Sequence, residues 1–223
     1  MVSPSENAVV DDPWVLRYCE IPTLDAVLGY SETSHAAPGL ISGLDVEQML
    51  RYDATTYHHS VRMSLLVYRL ALALGLDDAS CRTLVTASQY HDIGKLQIPL
   101  HVLNKPGRLS DSEAALVRRH SEFGADIILK HDPTLVDVAG AIASHHEQFD
   151  GEGYPLGVSG EDIPFFGRVL AVVDVFDALA NPRPYRDTHM TVNSACEFVS
   201  QFSGFMFDPN VVGPFVSLLR PYL

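Results

Sequence analysis

The sequence predicts an all-α protein. Three observations carry that reading. Apolar residues recur at spacings of three and four over long stretches, the period of one helix face. Those stretches are bounded by residues that start and stop helices, among them Gly75, the Ser110/Glu113 pair, Pro164 and Asp208-Pro209. No stretch alternates apolar and polar residues as a half-buried strand would, and there is no internal repeat or low-complexity tract.

Residues 1–44 hold Pro4, Pro13, Pro22 and Pro38 among short apolar stretches, with a few turns of helix near Thr23. The segment is too short for a typical separate sensor domain. It reads as an N-terminal arm packed on a main domain of residues 45–223. A first helix covers 44–74 on the row Val61, Leu65, Tyr68 and Leu72, and Gly75 stops it. His59 lies on it with Arg62 three residues on, while His58 points about 100° away from His59. A second helix, 78–90, carries His91 and Asp92 to its C-terminal end. Pro99 and the Lys105-Pro106-Gly107 turn then mark a long loop.

Ser110 to Glu113 forms a capping box and starts a third helix that runs to about residue 130, with His120 in its middle. A fourth, 135–147, buries Ala139, Ile142 and Ala143 and ends in His145, His146 and Glu147. Gly151, Gly153 and Pro155 demand a tight loop after it. Pro164 opens a fifth helix that continues to Ala180. Asp174 sits in it among Leu170, Val172, Val173, Val175 and Phe176, where a carboxylate is costly unless paired or metal-bound. A turn over 181–186, rich in Pro and Arg, precedes two last helices, 191–202 and 209–219.

Composition narrows the function classes. A hydrophobic fraction of 47% in 223 residues is ample for a core. A formal net charge of −13 argues against a nucleic-acid partner, and any anionic substrate needs local cations or metals. Cys19, Cys81 and Cys196 are far apart and odd in number, which favours a reducing, cytoplasmic compartment over a disulfide framework. Arg69 interrupts the longest apolar run and the N-terminus lacks a basic region, so neither membrane insertion nor a signal peptide is expected.

The chemistry centres on Tyr90-His91-Asp92-Ile93-Gly94-Lys95. Adjacent imidazole and carboxylate groups suit a divalent ion. Lys95 adds a cation one helical turn from His91. A lone His-Asp pair is more often a surface hydrogen bond, but this one has company: His59, His120, the His145-His146 pair and Asp174 fall on four separate predicted helices. A helix bundle can converge such groups in its core. Seven nitrogen and oxygen ligands are too many for one ion and natural for two. Without cysteine among them, they suit iron, manganese or zinc rather than a zinc finger. His58, His101, His131 and His189 read as incidental.

The order His, His-Asp, His, His-His, Asp resembles the HD superfamily of metal-dependent phosphohydrolases. More narrowly it resembles the HD-GYP family: His91 to Lys95 matches the HD motif, His145-His146-Glu147 the HHE motif, and Asp150-Gly151-Glu152-Gly153-Tyr154-Pro155 the GYP motif. Thr56 with His59 to Arg62, Asp174 to Leu179, and Arg183-Pro184-Tyr185-Arg186 match further stretches, over about residues 50–220. The resemblance implies an HD-domain helical bundle that hydrolyses cyclic di-GMP to pGpG and onward to GMP. It implies two divalent ions, iron first, with manganese, zinc or nickel as alternatives. His59, His91, Asp92 and Asp174 would hold one ion, and Asp92, His120, His145 and His146 the other, with Asp92 bridging. A hydroxide between the ions would be the nucleophile. Lys95 would steady a phosphate oxygen, and Tyr154, Arg183 and Arg186 would contact the substrate. The 151–155 loop is implied as a docking surface for GGDEF-domain proteins. Thr55 stands where some members have a Glu for a third ion, so two are expected. Gln97, Ile98, Pro99 and Leu100, and then Asn181 and Pro182, also depart from the family pattern. A non-catalytic receptor for the nucleotide or a partner protein, and a phosphodiesterase for another cyclic dinucleotide, are the rival readings.

Overall fold

A computed structural model describes Ile41, Leu44, residues 54–180 and residues 190–220, apart from the side chains of Ala54, Thr55, Tyr57, His58 and Val61. The N-terminal arm other than Ile41 and Leu44, the side chains of Thr55 and His58, and the 181–189 segment with Arg183, Arg186 and His189 therefore lie outside the described residues. The helices are α1 (Ala54–Ala73), α2 (Asp78–Tyr90), α3 (Leu100–Leu103), α4 (Asp111–Arg118), α5 (His120–His131), α6 (Val136–Ser144), α7 (Phe165–Ala180), α8 (Val192–Gln201) and α9 (Pro209–Leu219). Short 3₁₀ turns cover Ile93–Gln97 and Gly160–Asp162. Among the described residues there is no sheet, only an isolated bridge between Ser203 and Phe207. The fold is an all-α bundle.

Helix α7 is the middle of the packing. It touches α1, α2, α6, α8 and α9, and Val169, Leu170, Ala171, Val172, Val173 and Phe176 are all buried. A helix apolar on nearly every side belongs in a core. Helices α1 and α2 pair antiparallel across the Gly75 turn, whose φ of +72° is the left-handed value a helix stop needs. Tyr90, fully buried at the end of α2, accepts from Ile41 N at 3.0 Å and donates to the Leu44 carbonyl at 3.0 Å.

Four sequence expectations need correction. The buried row of α1 is Met63, Leu66, Val67, Leu70 and Ala71, and Leu72 is 53% exposed. Both rows obey helical spacing, because the helix is apolar on more than one side. His59 belongs to the buried row, which steps by four, three and four residues from His59 through Met63 and Leu66 to Leu70. The third helix is two helices. It breaks at Arg119 (ψ −5°), whose amide reaches Leu116 at 3.2 Å, and His120 heads α5 instead of sitting in mid-helix. The long loop after His91 is a 3₁₀ turn followed by α3. Helix α6 ends at Ser144 with His145 as its cap, and Ala143 is only half-buried.

The 3₁₀ turn after Asp92 lies against α5 with no space for a side chain. A Cβ on Gly94 would overlap the His120 carbonyl oxygen and come within 2.5 Å of Gly124 N. Backbone cannot retreat as a flexible side chain can, so Gly94→Ala should destabilise by at least the ~1–3 kcal/mol of an overpacked core. Gly140, inside α6, faces open space. Gly140→Ala should stabilise by about 0.5–1 kcal/mol through helix propensity alone. Urea denaturation of the two variants against the native chain checks both signs.

Candidate metal centre

Helix ends deliver most of the site. His91 caps α2, His120 opens α5 and His145 caps α6. At such places a backbone carbonyl lacks its amide partner, and each histidine uses one. His91 Nδ1 donates to the Ser88 carbonyl at 2.8 Å, His120 Nδ1 to Val117 at 2.7 Å, and His145 Nδ1 to Ile142 at 2.7 Å. With Nδ1 carrying the proton, Nε2 is the free lone pair in all three neutral rings. His59 reaches the same tautomer differently: its Nδ1 lies 2.6 Å from Asp177 Oδ2.

All seven residues expected from the sequence come together. His59, His91 and Asp174 form one group, His120, His145 and His146 a second, and His91, Asp92 and His145 an overlapping third. Within each group the ligand atoms lie within 4.8 Å of one another. Asp92 stands between the first two. Its Oδ2 is 3.3 Å from His91 Nε2, and its Oδ1 is 3.3 Å from His120 Nε2. Lys95 Nζ donates to Asp92 Oδ2 at 2.6 Å. His101 and His131 are exposed, away from these groups.

The arrangement fits cations. His120 Nε2 lies 3.4 Å from His145 Nε2 and 3.1 Å from His146 Nε2. His120 and His145 have already spent their protons on carbonyls, so their two lone pairs face each other without a hydrogen between them. His91 Nε2 and His59 Nε2 are buried without a hydrogen-bond partner. His59 Nε2 is 3.0 Å from Asp174 Oδ1 but is not aligned to bond it. Asp92 and Asp174 are 3% and 9% exposed, an expensive place for carboxylates without a counter-charge. These donors are nitrogen and oxygen only, and the buried free thiols Cys81 and Cys196 belong to none of the groups. The His/Asp groups make a metal-binding site.

Protonation follows the same logic. Burial pushes His120 and His145 below the usual imidazole range and His146 down to about 4, which keeps their nitrogens neutral and available. Burial also works against charge on His59, but Asp177 and Asp174 outweigh it and lift that ring to about 9. Burial opposes ionisation of Asp92, but Lys95, His91 and His120 together outweigh it and hold the carboxyl well below the usual carboxylate range.

Tyr154 packs its ring on His146, with centroids 4.8 Å apart, and the Arg118 guanidinium lies 5.5 Å from the same ring. Its loop is tied down by Glu147, whose buried carboxylate accepts from Leu156 N at 2.7 Å and Gly157 N at 3.0 Å. Asp92, Lys95, His146 and Asp174 line a cavity of about 260 Å³ together with Val175, Ala178 and Leu179. Asp177, Arg118 and Glu147 were given no role from the sequence. Asp177 had a signal: it stands three residues after Asp174, on the same face of an apolar helix.

Comparison with known proteins agrees with this geometry. Residues 46–211 match the HD domain family. A cyclic di-GMP phosphodiesterase of Pseudomonas aeruginosa is 38% identical over 179 residues, covering 80% of this chain and 43% of that protein. The 3'3'-cGAMP-specific phosphodiesterase 2 of Vibrio cholerae is 40% identical over 155 residues, covering 69% of this chain and 30% of that protein. The chain thus spans less than half the length of either relative. The solved structure of an HDG"Y"P protein from Bdellovibrio bacteriovorus shares the fold, with a TM-score of 0.60 at 21% identity over 93% of this chain and 64% of that one. The family match includes both carboxylates and all five histidines of the centre. The chain belongs to the HD superfamily and, within it, to the HD-GYP-like family of cyclic dinucleotide phosphodiesterases.

Proposed function

We propose that the chain is a metal-dependent phosphodiesterase that opens guanine-containing cyclic dinucleotides, with cyclic di-GMP and 3'3'-cGAMP both within its range. Relatives bearing these two substrate names are 38% and 40% identical to it. That near-equality favours the broader substrate class over cyclic di-GMP alone. The observation that carries the reading is Asp92, whose two oxygens each lie 3.3 Å from a histidine Nε2 of a different group. A carboxylate so placed suits a shared ligand. In this reading His59, His91, Asp92 and Asp174 hold one ion, and Asp92, His120, His145 and His146 hold the other, iron first. The ions would supply Lewis-acid charge and a water acidified towards neutral pH.

The chain's own residues do the rest. Lys95 leans on Asp92 from a partly exposed position, from which its ammonium can turn to a non-bridging phosphate oxygen as charge builds there. Tyr154, with its ring packed on the cavity-lining His146, would contribute its hydroxyl to the substrate. Arg183 and Arg186 complete the substrate contacts. Docking of GGDEF-domain proteins on the 151–155 loop belongs to the same proposal, favoured by Leu156 beside it, which is 79% exposed. So do the packing of the 1–44 arm on the 45–223 domain and a cytoplasmic location. Among the described residues no helix is long and apolar enough to cross a membrane.

Elemental analysis of the native chain should approach two ions, and one or three would count against the assignment. Asp92→Ala should lose metal and turnover together. Lys95→Ala should keep its metal and lose about 10²–10³ in kcat, the scale of one removed charge-stabilising donor. Loss of metal in Lys95→Ala would show that its role is structural.

Substrate choice is read from turnover of cyclic di-GMP, 3'3'-cGAMP and cyclic di-AMP by the metal-loaded chain. Hydrolysis of the first two supports the proposal. Binding without hydrolysis of any of them would make the chain a receptor. Tyr154→Phe keeps the ring on His146 and removes one hydrogen bond, so kcat/KM should fall several-fold, in line with about 0.5–1.5 kcal/mol. Unchanged kinetics would confine Tyr154 to packing.

A further inference from the structure

His59 differs from the other oriented histidines in where it stands. His91, His120 and His145 sit at helix ends and take carbonyls of their own chain segment. His59 lies inside α1, where the helix's own amides engage the carbonyls. Its Nδ1 partner has to come from another element, and α7 provides Asp177 at 2.6 Å. Asp177 is 1% exposed. Arg62, three residues after His59, grips both of its oxygens, Nε to Oδ1 and Nη2 to Oδ2, each at 2.9 Å. Helix α1 therefore holds Asp177 at two points.

The two groups of ligands are unequal as a result. His59, His91 and Asp174 include one carboxylate, and a second stands behind His59. His120, His145 and His146 contain no carboxylate of their own. A carboxylate behind a ligating imidazole locks its tautomer and makes it a stronger donor, and an anionic ligand strengthens a buried cation site. Arg62 offsets part of Asp177's charge, so its main effect is on ring orientation and tautomer.

We infer that Asp177, clamped by Arg62, is a positioning residue that makes the His59, His91 and Asp174 position the tighter of two metal positions and leaves the His120, His145 and His146 position exchangeable, an inference that rests on the two-ion reading above. The full chain, stripped with a chelator, is titrated with Mn²⁺ by calorimetry, with bound metal counted by elemental analysis. Two unequal binding steps are expected. Asp177→Asn should weaken the tighter step by about 10- to 100-fold and leave the weaker one in place, and Asp177→Glu should recover part of the loss. Arg62→Gln should weaken the same step by less, and it carries the test if the Asp177 variants fail to fold. Two equal steps in the native chain would overturn the inference while sparing the two-ion reading. So would variants that weaken both steps alike or neither. A native chain that takes up one Mn²⁺ or none would remove the two-ion reading, and the inference with it.

Discussion

Everything in this structure answers to the burial of two carboxylates. Asp92 and Asp174 lie in the middle of a helical bundle among imidazoles, with the Lys95 ammonium 2.6 Å from Asp92. Desolvating them costs several kcal/mol each without a counter-charge. His120 and His145 turn Nε2 lone pairs towards each other, a repulsion that a cation between them relieves. Such a cluster is stable as the inner surface of a metal site and strained as anything else. Its geometry has to be imposed by the fold.

The imposition comes from helix ends. Three helices stop or start where a histidine is needed, and each leaves a carbonyl that fixes the ring. The break at Arg119, which divides α4 from α5, frees the Val117 carbonyl for His120. The close approach of Gly94 to α5 brings the Asp92 turn against that same ring. Helix α7 adds Asp174 from within the core, and the Glu147 carboxylate ties the following loop so that Tyr154 lies on His146. Packing and chemistry share the same residues here, which is why the site is so well buried in a chain carrying −13. A phosphate approaching such a chain is drawn by the site's local cations, Lys95 among them, against the field of the whole.

Much of this was legible in the sequence, though unevenly. The ends of α2, the Ser110 capping box and the Asp208-Pro209 start of α9 were readable, because caps are local chemistry between residues two or three apart. The buried row of α1 was misread, because two apolar rows satisfy the same spacing and only packing chooses between them. The division at Arg119 was also missed. Nothing in Leu116 to His120 forbids a continuous helix, and at the break the His120 ring takes the Val117 carbonyl.

For the metal centre, the sequence by itself determined which residue types are present and in what order. An HD pair, four further histidines and a carboxylate in an apolar run are a chemical inventory, and the linked motifs around them identify the family. Tertiary structure decided how those residues face one another. It set Asp92 between two groups of histidines, gave His59 a carboxylate partner 118 positions away, and laid Tyr154 on His146. The reason is physical. Ligand identity belongs to single residues, whereas tautomer, lone-pair direction and shared coordination depend on distances between helices that only a packed core fixes.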